Sequence, residues 1–402
     1  MKLRPWLLIA LLAVLLTACQ AEEAPTPSPA GAAEAETGPP FKIGVLTPLT
    51  GPQADLGREL VNGVRLFFAQ NPVVAGRRIE LIVEDDASNP QLGLTKAQKL
   101  VEQDRVEMLF GIINSAVLAS VMDYASRMGV PLMSTNASTQ AFTAPPGDPL
   151  RIRVAHAQST DNLPAGWYAY TRLGWRRVAT ITWDFLAGRE QQDFFKQMFT
   201  RLGGEIVQEQ FAPLGTAEWG PYISRVPANI DGLYVFLAGA DGIRFMQQAY
   251  GFGLTQRVKI MGIFTALTDV LPHQPDAAVG HYEVVHYFYT LDTPENRDFV
   301  AAYRRAYNAN PTVYAAEAYA GALVVAEGLK AVRGNTSDKV AFVRAMRSLR
   351  VNTPMGPVRF DDYGQAILNV YVARIERQGG EYRPVVIDTI PEVGQFWQPP
   401  AR

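Results

Sequence analysis

The chain has 402 residues, a formal net charge of −2, 48% hydrophobic residues and a single cysteine. That nearly neutral balance gives no support to a nucleic-acid partner, and one thiol excludes a disulfide framework within the chain. Length alone points to two folded units rather than one.

Lys2 and Arg4 precede an uninterrupted apolar stretch from Trp6 to Leu16, and Thr17-Ala18-Cys19 closes it. A basic start, a short apolar core and small residues at the cut form an export signal, too short to span a bilayer as a helix. Residues 1–18 are therefore expected to leave as a signal peptide, and the loss of Lys2 and Arg4 takes the net charge to −4. Residues 19–40 are dominated by Ala, Pro, Glu, Ser and Gly and read as a flexible linker. No later apolar run reaches spanning length, so the body is expected to be soluble.

From Phe41 the pattern is strand, then helix, repeated. Residues 41–49 are β-rich, and 58–69 carry a helical stripe at Leu60, Val61, Val64, Phe67 and Phe68. A strand over 78–83 follows, and Asn89-Pro90 opens a helix to about Gln103, with Asn89 as cap and proline at the first helical position. Strands at 108–113 and 130–134 flank a helix over 117–128. With no tight hairpin in view, the reading is a parallel sheet covered on both faces. The pattern restarts after residue 160, with strands at 177–182, 205–211, 232–237 and 258–263 and helices at 163–173 and 190–202 and after 237.

Residues 278–289 are extended, helices are expected at 294–307, 313–332 and 339–349, and 358–360 with 367–374 alternate as a β-ribbon. These late elements have no sheet of their own and must complete the earlier two. The fold class is α/β, with two doubly wound Rossmann-like lobes joined by a multi-strand hinge around a cleft. Lobe 1 takes 41–157 plus 287–350, lobe 2 takes 158–286 plus 351–390, and 391–402 is a C-terminal tail.

Catalytic signals are missing: there is no Gly-x-Ser-x-Gly elbow and no phosphate loop, so no catalytic residue is assigned. Gly251-Phe252-Gly253 reads as a helix stop. His281 and His286 lie five apart in an extended stretch, on opposite faces, so no metal is expected from them. The acidic pairs Asp85-Asp86 and Asp361-Asp362 read as solvated turn residues. No cofactor is expected. Two loops stand out as binding sites, because ligands in open α/β sheets sit beyond the carboxyl ends of strands. One is residues 111–116, with Ser115 at the capping position of a helix; the other is residues 134–139. Hydroxyls and backbone N–H groups at a helix start suit a carboxylate, although Ser115 as a plain cap remains an alternative.

Taken in order, Ile43 to Pro52, Glu84-Asp85-Asp86 with Asn89-Pro90, Gly129-Val130-Pro131, Asp184 to Gly188, Asn310-Pro311, Tyr314-Ala315-Ala316 and Thr353 to Val358 resemble the type I periplasmic substrate-binding proteins of the branched-chain amino-acid (Leu/Ile/Val-binding) family. The resemblance spans about residues 41–390, and the Leu-Thr-Ala-Cys block ending at Cys19 resembles the lipobox of lipoproteins. It implies a monomeric trap, tethered to the cell membrane by lipid on Cys19, that hands a small-molecule solute to an ABC permease and its ATPase subunits. A sensory lipoprotein acting on a signalling receptor is the alternative. By resemblance Ser115 matches the carboxylate-binding serine, and Ala137 and Ser138 match the loop that supplies backbone and hydroxyl contacts to the same group. Lobe 2 departs from the pattern. Ala187 replaces a tyrosine in the block after Phe185, the acid that grips an ammonium falls at Phe264, and Leu56 stands where an aromatic is common. Tyr314 and Asp241 complete the candidate ligand-binding set, with Asp241 alternatively a helix cap. A buried ammonium without an anionic partner is costly, so an apolar or aromatic carboxylate is expected in preference to an amino acid. The segment Ala212 to Tyr222 resembles relatives that bind organic carboxylates.

Overall fold

Short apolar strands alternating with amphipathic helices bury both faces of a sheet, and this chain does so twice. A computed structural model describes residues 35–264 and 266–400; the leader and Cys19 lie outside them. The strands β1 (Phe41–Thr47), β2 (Val73–Val74), β3 (Arg77–Asp85), β4 (Met108–Gly111), β5 (Leu132–Ser134) and β6 (Arg151–Arg153) form one sheet, in the order β2-β3-β1-β4-β5-β6. All neighbours run parallel except β2 and β3. That pair is a tight hairpin, which the sequence reading lacks. Ala75 and Gly76 both take positive φ at its tip, as a mirror-image turn requires. β2 is only two residues long, below the reach of any periodicity.

The second sheet holds β7 (Arg177–Trp183), β8 (Glu205–Ala212), β9 (Gly232–Phe236), β10 (Lys259–Ile263), β11 (Tyr282–Val285), β12 (Arg350–Thr353), β13 (Gly356–Phe360), β14 (Ala366–Gln378) and β15 (Glu381–Val393). Its order is β12-β13-β14-β11-β10-β9-β7-β8, with β15 on the other edge of β14. β7 to β11 are parallel, and everything after β11 joins antiparallel. The C-terminal segment is therefore strand rather than tail beyond residue 390. β15 continues to Val393, where Ile390 and Val393 are buried, and Gln395 bonds back to Thr143 and Asp361.

Helix Gln158–Thr171 follows β6 and packs on helix Leu186–Arg201 of the second sheet, while helix Val313–Ala331 follows β11 and packs on helix Ala54–Gln70 of the first. After helix Lys339–Arg347 the chain returns to β12. The polypeptide thus passes between the two layers three times, and a strap of three segments can bend as a hinge.

In each lobe the helix after the first strand begins tight against the carboxyl end of that strand. A Cβ on Gly57 would come 1.7 Å from the Pro48 carbonyl oxygen, and one on Gly188 would come 2.0 Å from that of Trp183. Only glycine permits these approaches, and they set the loops that follow β1 and β7 facing each other.

Candidate ligand-binding site

β1 has β3 on one side and β4 on the other, and β7 has β8 and β9, so each sheet reverses its strand order there and opens a crevice beyond the strands' carboxyl ends. The two crevices face one another. Between them lies a small cavity of about 20 Å³ lined by Gln53, Leu56, Ile113, Asn136, Ser138 and Tyr314 from lobe 1. Lobe 2 contributes Trp183, Phe185, Ala187, Gln191, Phe236 and Phe264, and His156 comes from the segment that crosses between the lobes. The lobes are drawn together around it: Thr139 donates to Glu190 at 3.2 Å, and a Cβ on Gly239 would lie 3.2 Å from Leu56. No acidic or cationic side chain lines this cavity among the described residues.

Six of the nine residues expected at the ligand line the cavity: Leu56, Ser138, Phe185, Ala187, Phe264 and Tyr314. Ser115 stands directly behind it. Helix Ser115–Arg127 is capped by Asn114, whose Oδ1 accepts from the N–H groups of Ala116 and Val117. The expectation of Ser115 as the cap is thus corrected by one residue, which frees its Oγ to accept the Ser138 N–H at 3.2 Å and to hold the 134–139 loop. Ala137 lies further back. Its N–H bonds Ile112 and its carbonyl takes the Ser134 hydroxyl, so its backbone turns inward rather than to the cavity.

Asp241 is also not a wall residue. Its carboxylate, in the first turn of helix Gly239–Gly251, accepts from Trp183 Nε1 and the Gly215 N–H, both at 2.8 Å, and pairs with Arg244. It is neither a helix cap nor a free anion, but it orients Trp183 within the wall. Trp219 is fully buried in lobe 2 against Phe245 and Tyr222, away from the cavity. Asp86 is not a solvated turn acid: burial pushes its carboxyl up to about 7.

The aromatic wall is continuous. Trp183 meets Phe185 at 5.6 Å and Phe236 at 5.2 Å between ring centroids, and Phe236 meets Phe264 at 6.0 Å. Phe264 has φ +61°, a left-handed conformation that costs a bulky side chain. Such strain is commonly held where a site needs a side chain in one place. His156 lies tilted against Phe264, with their ring centroids 4.1 Å apart.

Behind His156 lies a buried ionic network that the sequence reading missed. His286 Nε2 bonds Glu317 Oε1 at 2.8 Å, and its Nδ1 bonds Asp161 Oδ2 at 3.2 Å. Asn136 donates to the other Glu317 oxygen at 2.8 Å. Burial alone would lower the His286 pKa, but Asp161 and Glu317 push it up to about 10, so it is the cation of the group. Burial raises both acids, opposed by His286. His156 is held well below its usual pKa, by burial first and by His286 and Arg153 next, and is neutral. Glu317 comes from a lobe 1 helix and Asp161 from a lobe 2 helix, so His286 ties the lobes at the hinge. Donor atoms of His156, Asp161 and His286 lie within 4.8 Å of one another, a spacing compatible with a metal. Both His286 nitrogens are engaged by the Asp161 and Glu317 carboxylates, and the protonated ring has no lone pair to offer a metal. His281 is separate: it is buried, accepts the Ile260 N–H, and burial lowers it to about 4.

Residues 40–381 match the model of a periplasmic binding protein family. The chain belongs to that family. It is 27% identical over 365 residues to Leu/Ile/Val-binding protein homolog 6 of Brucella melitensis, an alignment covering 88% of this chain and 92% of the relative. Among solved structures, an ABC transporter substrate-binding protein from Sphaerobacter thermophilus is 34% identical with a TM-score of 0.83, covering 88% of this chain and 98% of the other. A solute-binding protein of an ABC transporter from Rhodopseudomonas palustris, in complex with 3,4-dihydroxybenzoic acid, is 30% identical with a TM-score of 0.83 and the same two coverages. The protein is thus a periplasmic solute-binding protein of the ABC type with the two-lobed α/β fold of its relatives. Among the described residues no helix is long and apolar enough to cross a membrane.

Proposed function

We propose that this protein is a lipid-anchored receptor that closes its two lobes on an apolar or aromatic carboxylate and delivers it to an ABC permease. The observation that carries this reading is the make-up of the cavity wall: four aromatic rings on one side, neutral polar groups on the other, and no acid among the described lining residues. An α-amino acid buried there would leave its ammonium without an anionic partner, at a cost of several kcal/mol. A carboxylate can instead be met by the hydroxyl of Ser138 and by the second amide hydrogen of Asn136, whose first is on Glu317, and an aryl body can lie against Trp183, Phe236 and Phe264. The complex of the Rhodopseudomonas palustris relative supports the same class of solute.

Calorimetric titration with leucine, valine and a panel of aryl and alkyl carboxylates tests the ligand class. Tight leucine binding with the carboxylates inert would overturn it. Anchoring is tested separately: Cys19→Ala should move the protein from membranes to the soluble exported fraction, because one residue carries the attachment.

A further inference from the structure

Among the described cavity-lining residues, His156 is the one whose buried side-chain polar atoms have no hydrogen-bond partner. Its ring is 1% exposed, and neither nitrogen has a hydrogen-bond partner among the described residues. Buried polar groups are nearly always paired, so an orphaned imidazole on the wall of a binding cavity marks a place where a ligand atom belongs. The other polar lining residues of the hinge side are already engaged: Asn136 donates to Glu317, and Gln191 accepts from Asn162.

The surroundings of the ring decide which kind of ligand atom it needs. Nδ1 lies 3.5 Å from Glu317 Oε1. A carboxylate at that distance favours the tautomer with the proton on Nδ1, and in a neutral imidazole the other nitrogen, Nε2, is then an acceptor. His286, stacked at 5.1 Å between ring centroids, is held by Asp161 and Glu317 and takes no bond from His156. The Phe264 ring, tilted by 45° with its centroid 4.1 Å away, closes the near side of His156. The acceptor thus sits at the junction between an aromatic wall and a fixed anionic network, where a hydroxyl carried by an aromatic ring can reach it while the ring lies on Phe264.

We propose that His156 is a specificity-determining residue, accepting a hydrogen bond from a ring hydroxyl, so that the cleft selects hydroxylated aryl carboxylates over unsubstituted ones. The inference rests on the carboxylate reading above and deepens it. A site built around a buried hydrogen-bonding group discriminates strongly against an analogue that leaves this group unpaired.

The test is calorimetric titration of the full mature chain with benzoate, with 2-, 3- and 4-hydroxybenzoate, and with the matching fluorobenzoates, which approach a hydroxyl in size but donate nothing. At least one hydroxybenzoate should bind about tenfold to a hundredfold more tightly than benzoate, with its fluoro counterpart no better than benzoate. His156→Phe should erase that preference, so that hydroxybenzoates and benzoate bind alike. His156→Gln, which keeps an acceptor oxygen and should fold even if the phenylalanine variant does not, should retain part of the preference. Equal affinity of the natural chain for benzoate and every hydroxybenzoate overturns the role of His156 and leaves the carboxylate reading standing. A preference that survives unchanged in both variants also overturns it. Leucine binding with all benzoates inert overturns both readings.

Discussion

Lobe 1 presents the polar Gln53, Asn136 and Ser138 to the cavity beside Leu56, Ile113 and Tyr314, whereas lobe 2 presents Trp183, Phe185, Phe236 and Phe264 with Ala187 and a single polar residue, Gln191. Both walls hang from the same device, a helix drawn against the end of the first strand by a glycine, at Gly57 in one lobe and Gly188 in the other. That local device is repeated and the side chains around it are not. The polar wall rests on hydrogen bonds between neighbouring loops, as where Ser115 holds Ser138, and the aromatic wall rests on ring contacts and on Asp241 behind Trp183. On the proposed reading, this division assigns the charged end of a solute to one lobe and its body to the other. Closure is what joins the two halves of the specificity.

The hinge network belongs to both lobes, and removing it has the largest expected effect. Glu317→Ala leaves the His286 cation short of a partner and Asn136 without an acceptor, so unfolding in denaturant should show a loss of about 3–5 kcal/mol. Asp161→Ala should cost less, since its bond to His286 is longer, 3.2 Å against 2.8 Å. A larger loss from Asp161 would mean that lobe 2, not lobe 1, holds the cation. The same network sets a pH dependence. The folded-state pKa of His286 is raised, so the stability it contributes is fully present below its ordinary value of about 6.5 and is lost as pH rises through about 10. Thermal melts between pH 7 and pH 10.5 should fall more steeply for the natural chain than for His286→Gln, and the His286 ring should still give the NMR shift of an imidazolium at pH 8. A neutral ring at that pH would break the assignment.

The walls can then be separated by paired substitutions. Ser115→Ala loosens the Ser138 loop and should weaken every carboxylate ligand alike, by roughly 1–3 kcal/mol in calorimetry. Phe264→Leu on the opposite wall should cost aryl ligands about 0.5–1.5 kcal/mol and leave alkyl carboxylates nearly unchanged. If Ser115→Ala discriminated between aryl and alkyl ligands while Phe264→Leu did not, the assignment of charge to lobe 1 and body to lobe 2 would be reversed.

The periodicity of residues 41–263 was enough to read strands alternating with helices, because buried parallel strands and amphipathic helices leave strong local patterns. Asn89-Pro90 and Gly251-Phe252-Gly253 were legible for the same reason: a cap, a first-turn proline and a left-handed stop act within a few residues. Leu56, Phe185, Ala187 and Phe264 were reachable through the family resemblance, since they follow strand ends. Other residues were not. Trp183 and Phe236 end strands and read as core, Gln191 carries no local signal that separates a lining residue from a surface one, and Asn136 was legible only as part of the 134–139 loop and was not singled out.

By itself, then, the sequence determined what short-range chemistry controls: the elements, their caps, the export-like leader and the loops that a sheet must leave open at its strand ends. Only the tertiary structure decided what meets across the cleft. His156, Asp161, His286 and Glu317 are spread over more than 160 positions and come together because three segments pass between two sheets. Their charge states follow from burial and from one another, and neither quantity exists until the lobes have packed.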